Sequence, residues 1–262
     1  MATMSDLKLA IRAKRYPRHD GSPVAVFDDF ALSVPAGQFL AIAGPSGCGK
    51  TTLLNIAAGL DLEFDGDRQL GRLAGGAAPA IGYMFQEPRL LPWRTVAHNV
   101  ELAMGARDDA GAAAQAWLAR VGLPDAGPLY PRQLSLGMAR RAALARAFCV
   151  APDLLLMDEP FASLDEATAD DLRQLLREIA ERTGGTILFV THNVDEAVRL
   201  ADRIVMLAGQ PAAVARDVAV DLRPADRQDP EMVRRFRDRL REPAASAAVE
   251  PEPAARAVGG GR

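Results

Sequence analysis

The chain has few of the residues that build disulfide frameworks, zinc sites or membrane spans. Only two of its 262 residues are cysteines, Cys48 and Cys149, and their spacing fits neither a disulfide framework nor a zinc site. No apolar run approaches the roughly 20 residues that a helix needs to cross a bilayer, and residues 1–8 contain no apolar signal segment. We therefore expect a cytosolic protein whose membrane role, if it has one, depends on a partner.

Lysine is scarce as well, because it occurs only at Lys8, Lys14 and Lys50 while scattered arginines supply the other positive charges. The formal net charge of −3 gives no overall attraction to nucleic acid, so nucleic acid is not an expected partner. A length of 262 residues suits one large domain with its own core, and the 49% hydrophobic content fits a globular protein.

One glycine-rich stretch carries a recognisable chemistry. It follows an apolar run, residues 39–43, and leads into a segment typical of a helix. This order of strand, loop and helix predicts a phosphate-binding loop, because backbone N–H groups and the helix N-terminus then face phosphate oxygens. Lys50 is expected to reach the β- and γ-phosphates, and the Thr51 hydroxyl to bind Mg²⁺. The predicted nucleotide-binding residues of the loop are Gly44, Pro45, Ser46, Gly47, Cys48, Gly49, Lys50, Thr51 and Thr52.

The pattern around this loop predicts an α/β fold. Strand-like stretches before the loop indicate an antiparallel set, and apolar strands alternate with helices after residue 150, as in a mostly parallel sheet. Residues 88–150 are largely helical and are predicted to form a helical subdomain inserted into the core. The expected strands are residues 7–15, 24–27, 30–34, 80–85, 153–157, 186–190 and 203–207, and the later helices are residues 139–150, 166–182 and 194–200.

We expect a single domain over residues 5–241. Within it, Asp165 is a candidate N-cap for the helix over residues 166–182, and residues 229–240 predict a charged helix on the solvated surface. The tail, residues 242–262, is rich in alanine, proline and glycine and is predicted to be disordered.

Two acids, Asp158 and Glu159, follow the apolar strand at residues 153–157. Asp158, at the carboxyl end of a buried strand, is suited to hold Mg²⁺ directly or through water. Glu159 points differently and is suited to orient or deprotonate an attacking water. A helix cap or a turn is the alternative for such a pair, and the phosphate loop makes that alternative the less favoured one.

These ordered motifs resemble the nucleotide-binding subunits of ATP-binding cassette transporters over residues 16–207. The resemblance implies that Gln86 lies in the glutamine loop and senses Mg²⁺ and the water, that Asp165 belongs to the aspartate loop at residues 163–165, and that His192 is the switch histidine that contacts the γ-phosphate. A purely structural histidine is the alternative for His192, and His19 and His98 are expected on the surface. Tyr16 is similar to the aromatic that stacks on adenine, with Phe27 as the alternative.

The family's signature segment corresponds to Ser135, Leu136, Gly137 and Met138, where the usual core is Leu-Ser-Gly-Gly followed by Gln. The resemblance implies two copies arranged head to tail, with Ser135 and Gly137 meeting the γ-phosphate of the opposite subunit's ATP. Here Leu136 replaces the first glycine, and some importers carry Met last. We expect Leu136 to point away from phosphate and to slow or weaken closure of the pair.

Residues 86–96 resemble a loop of bacterial importer ATPases for nitrate, sulfonates and taurine, and of related pyrimidine-precursor importers. An exposed Leu90-Leu91-Pro92-Trp93 run is a suitable docking face for a partner's helix, and ordinary packing within the helical insertion is the alternative.

The resemblance as a whole implies an importer ATPase that uses ATP and Mg²⁺ at the cytoplasmic face of the bacterial inner membrane. Its expected partners are a second copy, two transmembrane permease subunits that contact residues 86–95, and, indirectly, a periplasmic solute-binding protein. An exporter or lipoprotein-release ATPase is the main alternative, and a soluble family member acting on nucleic acid or ribosomes is the less favoured one.

Overall fold

The computed structural model describes residues 6–18, 21–73, 76–162 and 164–241. The predictions for His19, for Ser163 of the aspartate loop and for the tail over residues 242–262 concern residues outside these ranges. In chain order the elements are β1 Leu7–Pro17, β2 Pro23–Val34, β3 Phe39–Ala43, α1 Lys50–Ala58, β4 Asp65–Leu70, β5 Ile81–Met84, α2 Val96–Met104, α3 Ala110–Arg120, α4 Leu136–Phe148, β6 Leu154–Asp158, α5 Glu166–Thr183, β7 Thr186–Thr191, α6 Val194–Leu200, β8 Arg203–Ala208, β9 Ala213–Ala219 and α7 Pro230–Arg241.

A six-stranded sheet in the order β5-β6-β7-β3-β8-β9 forms the centre of the fold. Its first five strands are parallel, and β9 pairs antiparallel with β8 at one edge. Strands β3, β6 and β7 are buried along their whole length, which explains their continuous apolar sequence. The predicted mostly parallel sheet is confirmed. Strand β9 was not predicted, because its exposed edge position leaves no continuous apolar run in the sequence.

The strands before the phosphate loop form part of a second, antiparallel sheet in the order β2-β1-β4. The two short strands predicted at residues 24–27 and 30–34 are in fact one strand, β2, so that prediction is wrong. Its pairing with β1 continues on both sides of Asp29, whose φ of 50° places only that residue in the left-handed region. In the sequence the polar Asp28-Asp29 pair therefore resembles a boundary between two strands, but in the structure it is an irregularity inside one strand.

Helices α2, α3 and α4 pack together and supply the predicted helical insertion. Helix α4 begins at Leu136 rather than at the predicted residue 139, because Ser135 acts as its N-cap and accepts a hydrogen bond from the backbone N–H of Met138 at 3.2 Å. No helix within the described ranges is both long enough and apolar enough to cross a membrane.

The prediction of a solvated surface helix at residues 229–240 is wrong for one face of α7. Val233, Phe236 and Leu240 are buried in the main core, and α7 packs against α6. Their spacing of three and four residues gives a narrow apolar stripe between many arginines and acids. Because most residues of the segment are charged, the sequence prediction did not identify this apolar stripe.

Candidate functional site

The glycine loop joins β3 to α1 and depends on glycine at specific positions. Gly49 precedes α1 with a φ of 95°, and a Cβ placed there would lie 2.5 Å from Cγ1 of Val26. A Cβ at Gly44 would lie 2.8 Å from the carbonyl oxygen of Leu207. Both distances are too short for a side chain, so the neighbouring strands fix the tight path of this loop.

Lys50 folds back over the loop from the first turn of α1. Its ammonium group donates hydrogen bonds to the carbonyl oxygens of Gly44 at 2.9 Å and Pro45 at 2.8 Å, and the residue is buried. A phosphate group in the loop would compete with these carbonyls for the same cation.

Thr51 and Asp158 meet at the junction of α1 and β6. The Thr51 hydroxyl donates a hydrogen bond of 2.7 Å to Oδ2 of Asp158, whose side chain is buried. Burial raises the pKa of Asp158, and the bond from Thr51 opposes this shift only in part. A hydroxyl and a carboxylate side by side are hard oxygen donors of the kind that Mg²⁺ prefers, so these residues fit the predicted metal.

Glu159 sits between the two other predicted catalytic side chains. Its Oε1 lies 3.0 Å from Nδ1 of His192, and its Oε2 accepts a hydrogen bond of 3.4 Å from the amide nitrogen of Gln86. The backbone of Glu159 has a φ of 48°, which is rare for a residue with a side chain. The fold thus turns the chain sharply after Asp158, and the two acids point to different partners.

The turn at Glu159 is stabilised by a residue, Arg140, that the sequence did not predict to be part of the site. Arg140 of α4 donates a hydrogen bond of 3.0 Å to the carbonyl oxygen of Glu159. The arginine is buried and its Nε has no hydrogen-bond partner. One arginine among many carries no signal in the sequence, so only the three-dimensional position of α4, which packs against β5, reveals this contact.

Tyr16 lies at the edge of the same cleft, and its side chain is 40% exposed. The alternative residue, Phe27, is fully buried, with its ring 4.8 Å from that of Phe30, and it offers no face to a base. Tyr16 therefore remains the predicted base-stacking residue. The cleft is lined by Tyr16, Val26, Ser46, Gly47, Gly49, Lys50, Thr51, Thr52, Gln86, Asp158 and Glu159.

The signature residues Ser135 to Met138 do not line this cleft. Ser135 caps α4, and Leu136 has a 54% exposed side chain at the start of the helix. Gly137 has no positive φ, and a Cβ there would make only an ordinary contact of 3.5 Å with Leu164. Nothing in the described parts of this chain therefore requires glycine at position 137.

Asp165 lies outside the cleft as well and caps α5, as predicted. Its carboxylate accepts hydrogen bonds from the backbone N–H of Thr168 at 2.9 Å and from the Thr168 hydroxyl at 2.8 Å. These bonds lower the pKa of Asp165. The contacts explain its place in the fold and leave its role in an aspartate loop as a prediction.

The predicted docking loop is less exposed than expected. Trp93 is 69% exposed, but Leu90 and Leu91 are half-buried, and Leu90 packs on the main core. Asn99 of α2 holds the loop, because its amide accepts from the backbone N–H of Leu91 at 2.6 Å and donates to three loop carbonyls. Arg146 of α4 adds hydrogen bonds to the carbonyl oxygens of residues 88 and 89.

A glycine loop between a parallel strand and a helix, with two acids at the end of another parallel strand of the same sheet, defines a phosphate-loop nucleotide-binding fold. The family described as ABC transporter matches residues 27–162. The aliphatic sulfonates import ATP-binding protein SsuB 2 of Burkholderia cenocepacia is 45% identical over 209 residues, which cover 79% of this chain and 77% of that protein. SsuB 1 of Pseudomonas aeruginosa, with the same description, is 45% identical over 219 residues, which cover 79% of this chain and 86% of that protein.

A solved structure gives the same result at the level of the fold. The dimeric structure of the ATP-binding cassette MJ0796, in a post-hydrolysis state bound to ADP and Pi, matches with a TM-score of 0.74 at 30% identity and covers 83% of this chain and 100% of that chain. The chain belongs to the ABC transporter family and is an ATP-binding, ATP-hydrolysing member of it.

Proposed function

We propose that this chain is the ATPase subunit of a bacterial importer whose cargo is an aliphatic sulfonate. The observation that supports the ATPase role most directly is the position of Glu159, whose carboxylate contacts Gln86 and His192 beside the Thr51–Asp158 pair. The cargo rests on the relatives at 45% identity, which are named for aliphatic sulfonate import. Nitrate, taurine and pyrimidine precursors belong to the wider group that the loop at residues 86–96 resembles.

In the proposed reaction, Lys50 and the loop N–H groups bind the phosphates of ATP, and Tyr16 stacks on adenine. Glu159 orients a water and takes its proton while the water oxygen bonds to the γ-phosphorus and the bond to the β–γ bridging oxygen breaks, releasing ADP and phosphate. His192 and Gln86 hold the Glu159 carboxylate in place.

Mg²⁺ would be held by Thr51, Asp158 and Gln86, which all line the cleft, and would neutralise charge on the phosphates. No group of three or more histidine, cysteine, aspartate or glutamate side chains in the described ranges is arranged to hold a metal. Phosphate oxygens would therefore complete the ligand set, as is usual for Mg²⁺ in nucleotide sites.

The active form is proposed to be a head-to-tail pair in which Ser135 and Gly137 of one copy meet the ATP of the other. The exposed start of α4 supports this arrangement, because nothing in the described chain explains glycine at 137. Asp165 would lie near the same interface.

Residues 86–95, with Trp93 as the exposed apolar side chain, are proposed to contact two transmembrane permease subunits. A periplasmic solute-binding protein would deliver the cargo, and the chain would act at the cytoplasmic face of the inner membrane. Residues 5–241 would form one domain, with residues 88–150 as its helical subdomain.

The ATPase role is tested by Glu159→Gln in the complex with its permease subunits. The variant should bind ATP normally, hydrolyse it at least about 100-fold more slowly and accumulate as a closed ATP-bound pair. Glu101→Gln is the matched control, because Glu101 lies on α2 outside the residues that line the cleft, with its carboxylate 3.8 Å from Nε2 of His98. Normal turnover by Glu159→Gln would remove Glu159 as the base.

The cargo is tested by deleting the gene and supplying an aliphatic sulfonate as the sole sulfur source. Growth should stop on the sulfonate and continue on sulfate, and a plasmid copy carrying Glu159→Gln should not restore it. Continued growth on the sulfonate together with failure on nitrate would reassign the cargo.

A further inference from the structure

Two residues that belong to no motif, Lys14 and Asp61, contact the Tyr16 side chain. Lys14, only 2% exposed, places its ammonium 4.4 Å from the centre of the Tyr16 ring. The same ammonium donates hydrogen bonds of 2.8 Å to Oδ1 of Asp61 and to the carbonyl oxygen of Glu63. The Tyr16 hydroxyl donates a hydrogen bond of 2.8 Å to Oδ2 of Asp61, so one carboxylate joins the cation and the phenol.

The fold turns Lys14 inward by a change of register in β1. Leu7, Leu9 and Ile11 are buried on alternate positions, so regular alternation would leave every even position on the outer face. The pairing of β1 with β4 shifts between Ile11 and Ala13, and burial moves to Lys14. Burial of an ammonium group is costly unless it is paired, and here one of its hydrogen-bond partners, Asp61, also binds the Tyr16 hydroxyl.

The choice of lysine fits this geometry. The chain holds three lysines among 31 basic residues, and one of the other two is Lys50 of the phosphate loop. An ammonium has three diverging donors. In Lys14, two N–H groups bind Asp61 and Glu63, and the third faces the Tyr16 ring. The planar guanidinium of an arginine would not reproduce this arrangement.

We propose that Lys14 and Asp61 are positioning residues for the base of the bound nucleotide. The bond to Asp61 fixes the orientation of the Tyr16 ring, and the Lys14 cation draws electron density toward the ring face that it contacts. The opposite face is then better matched to an electron-rich purine, so in this proposal ammonium, phenol ring and base form one stack. This inference rests on the proposed nucleotide binding and adds to it a determinant of affinity for the base.

The charges of the three groups agree with this arrangement. Burial raises the pKa of Tyr16, and a hydrogen bond with Thr52 opposes this shift while the bond to Asp61 adds to it, so the phenol keeps its proton and remains a donor. Burial alone would raise the pKa of Asp61, but hydrogen bonds from Lys14 and Tyr16 lower it below its ordinary value. Asp61 therefore stays a carboxylate acceptor for both neighbours.

The test compares ATP with inorganic tripolyphosphate, which probes the phosphate loop without a base. Lys14→Met and Asp61→Asn should weaken ATP binding by about three- to tenfold while leaving tripolyphosphate binding and kcat at saturating ATP unchanged. In a Tyr16→Leu background, Lys14→Met should have no further effect on ATP affinity. Lys8→Met is the matched control, since Lys8 lies on the outer face of the same strand.

The outcomes separate this inference from the proposed function. Failure of the wild-type chain to bind both ATP and tripolyphosphate would reject nucleotide binding itself. The positioning role would be rejected if Lys14→Met and Asp61→Asn bound ATP as tightly as wild type does. It would also be rejected if they lost affinity for ATP and for tripolyphosphate by the same factor. If Lys14→Met does not fold, Asp61→Asn serves as the test variant. A double-mutant cycle of Asp61→Asn with Tyr16→Leu then shows whether its effect on ATP affinity depends on the Tyr16 ring.

Discussion

The Thr51 hydroxyl donates a hydrogen bond of 2.7 Å to the buried carboxylate of Asp158. This bond joins the first turn of α1 to the end of β6, so the phosphate loop and the acidic strand end form one unit before any ligand binds. A single hydroxyl only partly offsets the burial of a carboxylate, which is why the pKa of Asp158 remains raised.

We predict that Asp158→Asn stabilises the nucleotide-free chain and abolishes Mg²⁺-dependent ATP binding. An acid whose pKa is raised in the folded state destabilises the fold progressively as the pH rises above the ordinary carboxyl pKa, and the loss is complete above the raised pKa. The variant should therefore melt higher than wild type at mildly alkaline pH, by roughly 2–4 °C for each 1 kcal/mol gained, and the gain should vanish as the pH falls below the ordinary carboxyl range. Calorimetry across pH measures this, and an equal melting temperature at every pH would contradict it.

We predict that His192→Ala lowers kcat by about 100-fold and leaves ATP affinity nearly unchanged. The Nδ1 of His192 lies 3.0 Å from the Glu159 carboxylate. Removing the imidazole therefore leaves Glu159, the proposed base, without a contact that orients it. His98→Ala is the control, because His98 lies on the exposed surface of α2. Steady-state kinetics with binding titration separate the two effects, and a change in affinity alone would assign His192 to binding.

We predict that Gly49→Ala is far more damaging than Gly21→Ala. Both positions have a positive φ, 95° and 79°, so alanine carries a similar backbone cost of about 1–2 kcal/mol at each. Only at Gly49 would the new methyl also lie 2.5 Å from Val26, whereas nothing lies within 4 Å at Gly21. Thermal melting and ATP titration should show loss of binding only for Gly49→Ala, and equal effects would show that the clash is relieved.

We predict that Leu136→Gly increases ATP-driven pairing in a Glu159→Gln background. Leu136 and Leu102 are exposed to almost the same extent, 54% and 53%, and both lie in helices. Leu102→Gly is therefore a control for the loss of an exposed leucine. Light scattering measures the dimer fraction. Unchanged pairing in this background, together with an unchanged ATPase rate for Leu136→Gly in the otherwise wild-type chain, would show that this leucine carries no cost.

Local patterns in the sequence predicted most of the central sheet and its helices. The helix α6 was predicted with its observed bounds, and β3, β6 and β7 appeared as buried apolar runs. Two of the misses, β9 and the buried face of α7, share a cause. Each depends on a neighbouring element that the local sequence does not identify, since an edge strand and a narrow apolar stripe acquire their role only through packing.

The residues of the candidate site likewise fall into a group that the sequence predicted and a group that it did not. Residues in fixed motifs, such as Lys50 and Glu159, were found because their chemistry depends on short spacings. Arg140 and Asp61 were not, because their contacts with Glu159 and Tyr16 span 19 and 45 residues of the chain. The register shift that turns Lys14 inward likewise leaves no trace in the local alternation of β1.

Helix α4 gives the site a mechanical property. Its Arg146 binds the carbonyls of the docking loop, its Arg140 binds the carbonyl of Glu159, and Ser135 caps its exposed end. A helix of 13 residues is a rod about 20 Å long that does not bend easily. A movement of residues 86–95 that preserves these bonds must carry Arg140 and Ser135 with it, so α4 couples this loop to the carbonyl of Glu159 and, in the proposed head-to-tail pair, to the ATP site of the second copy.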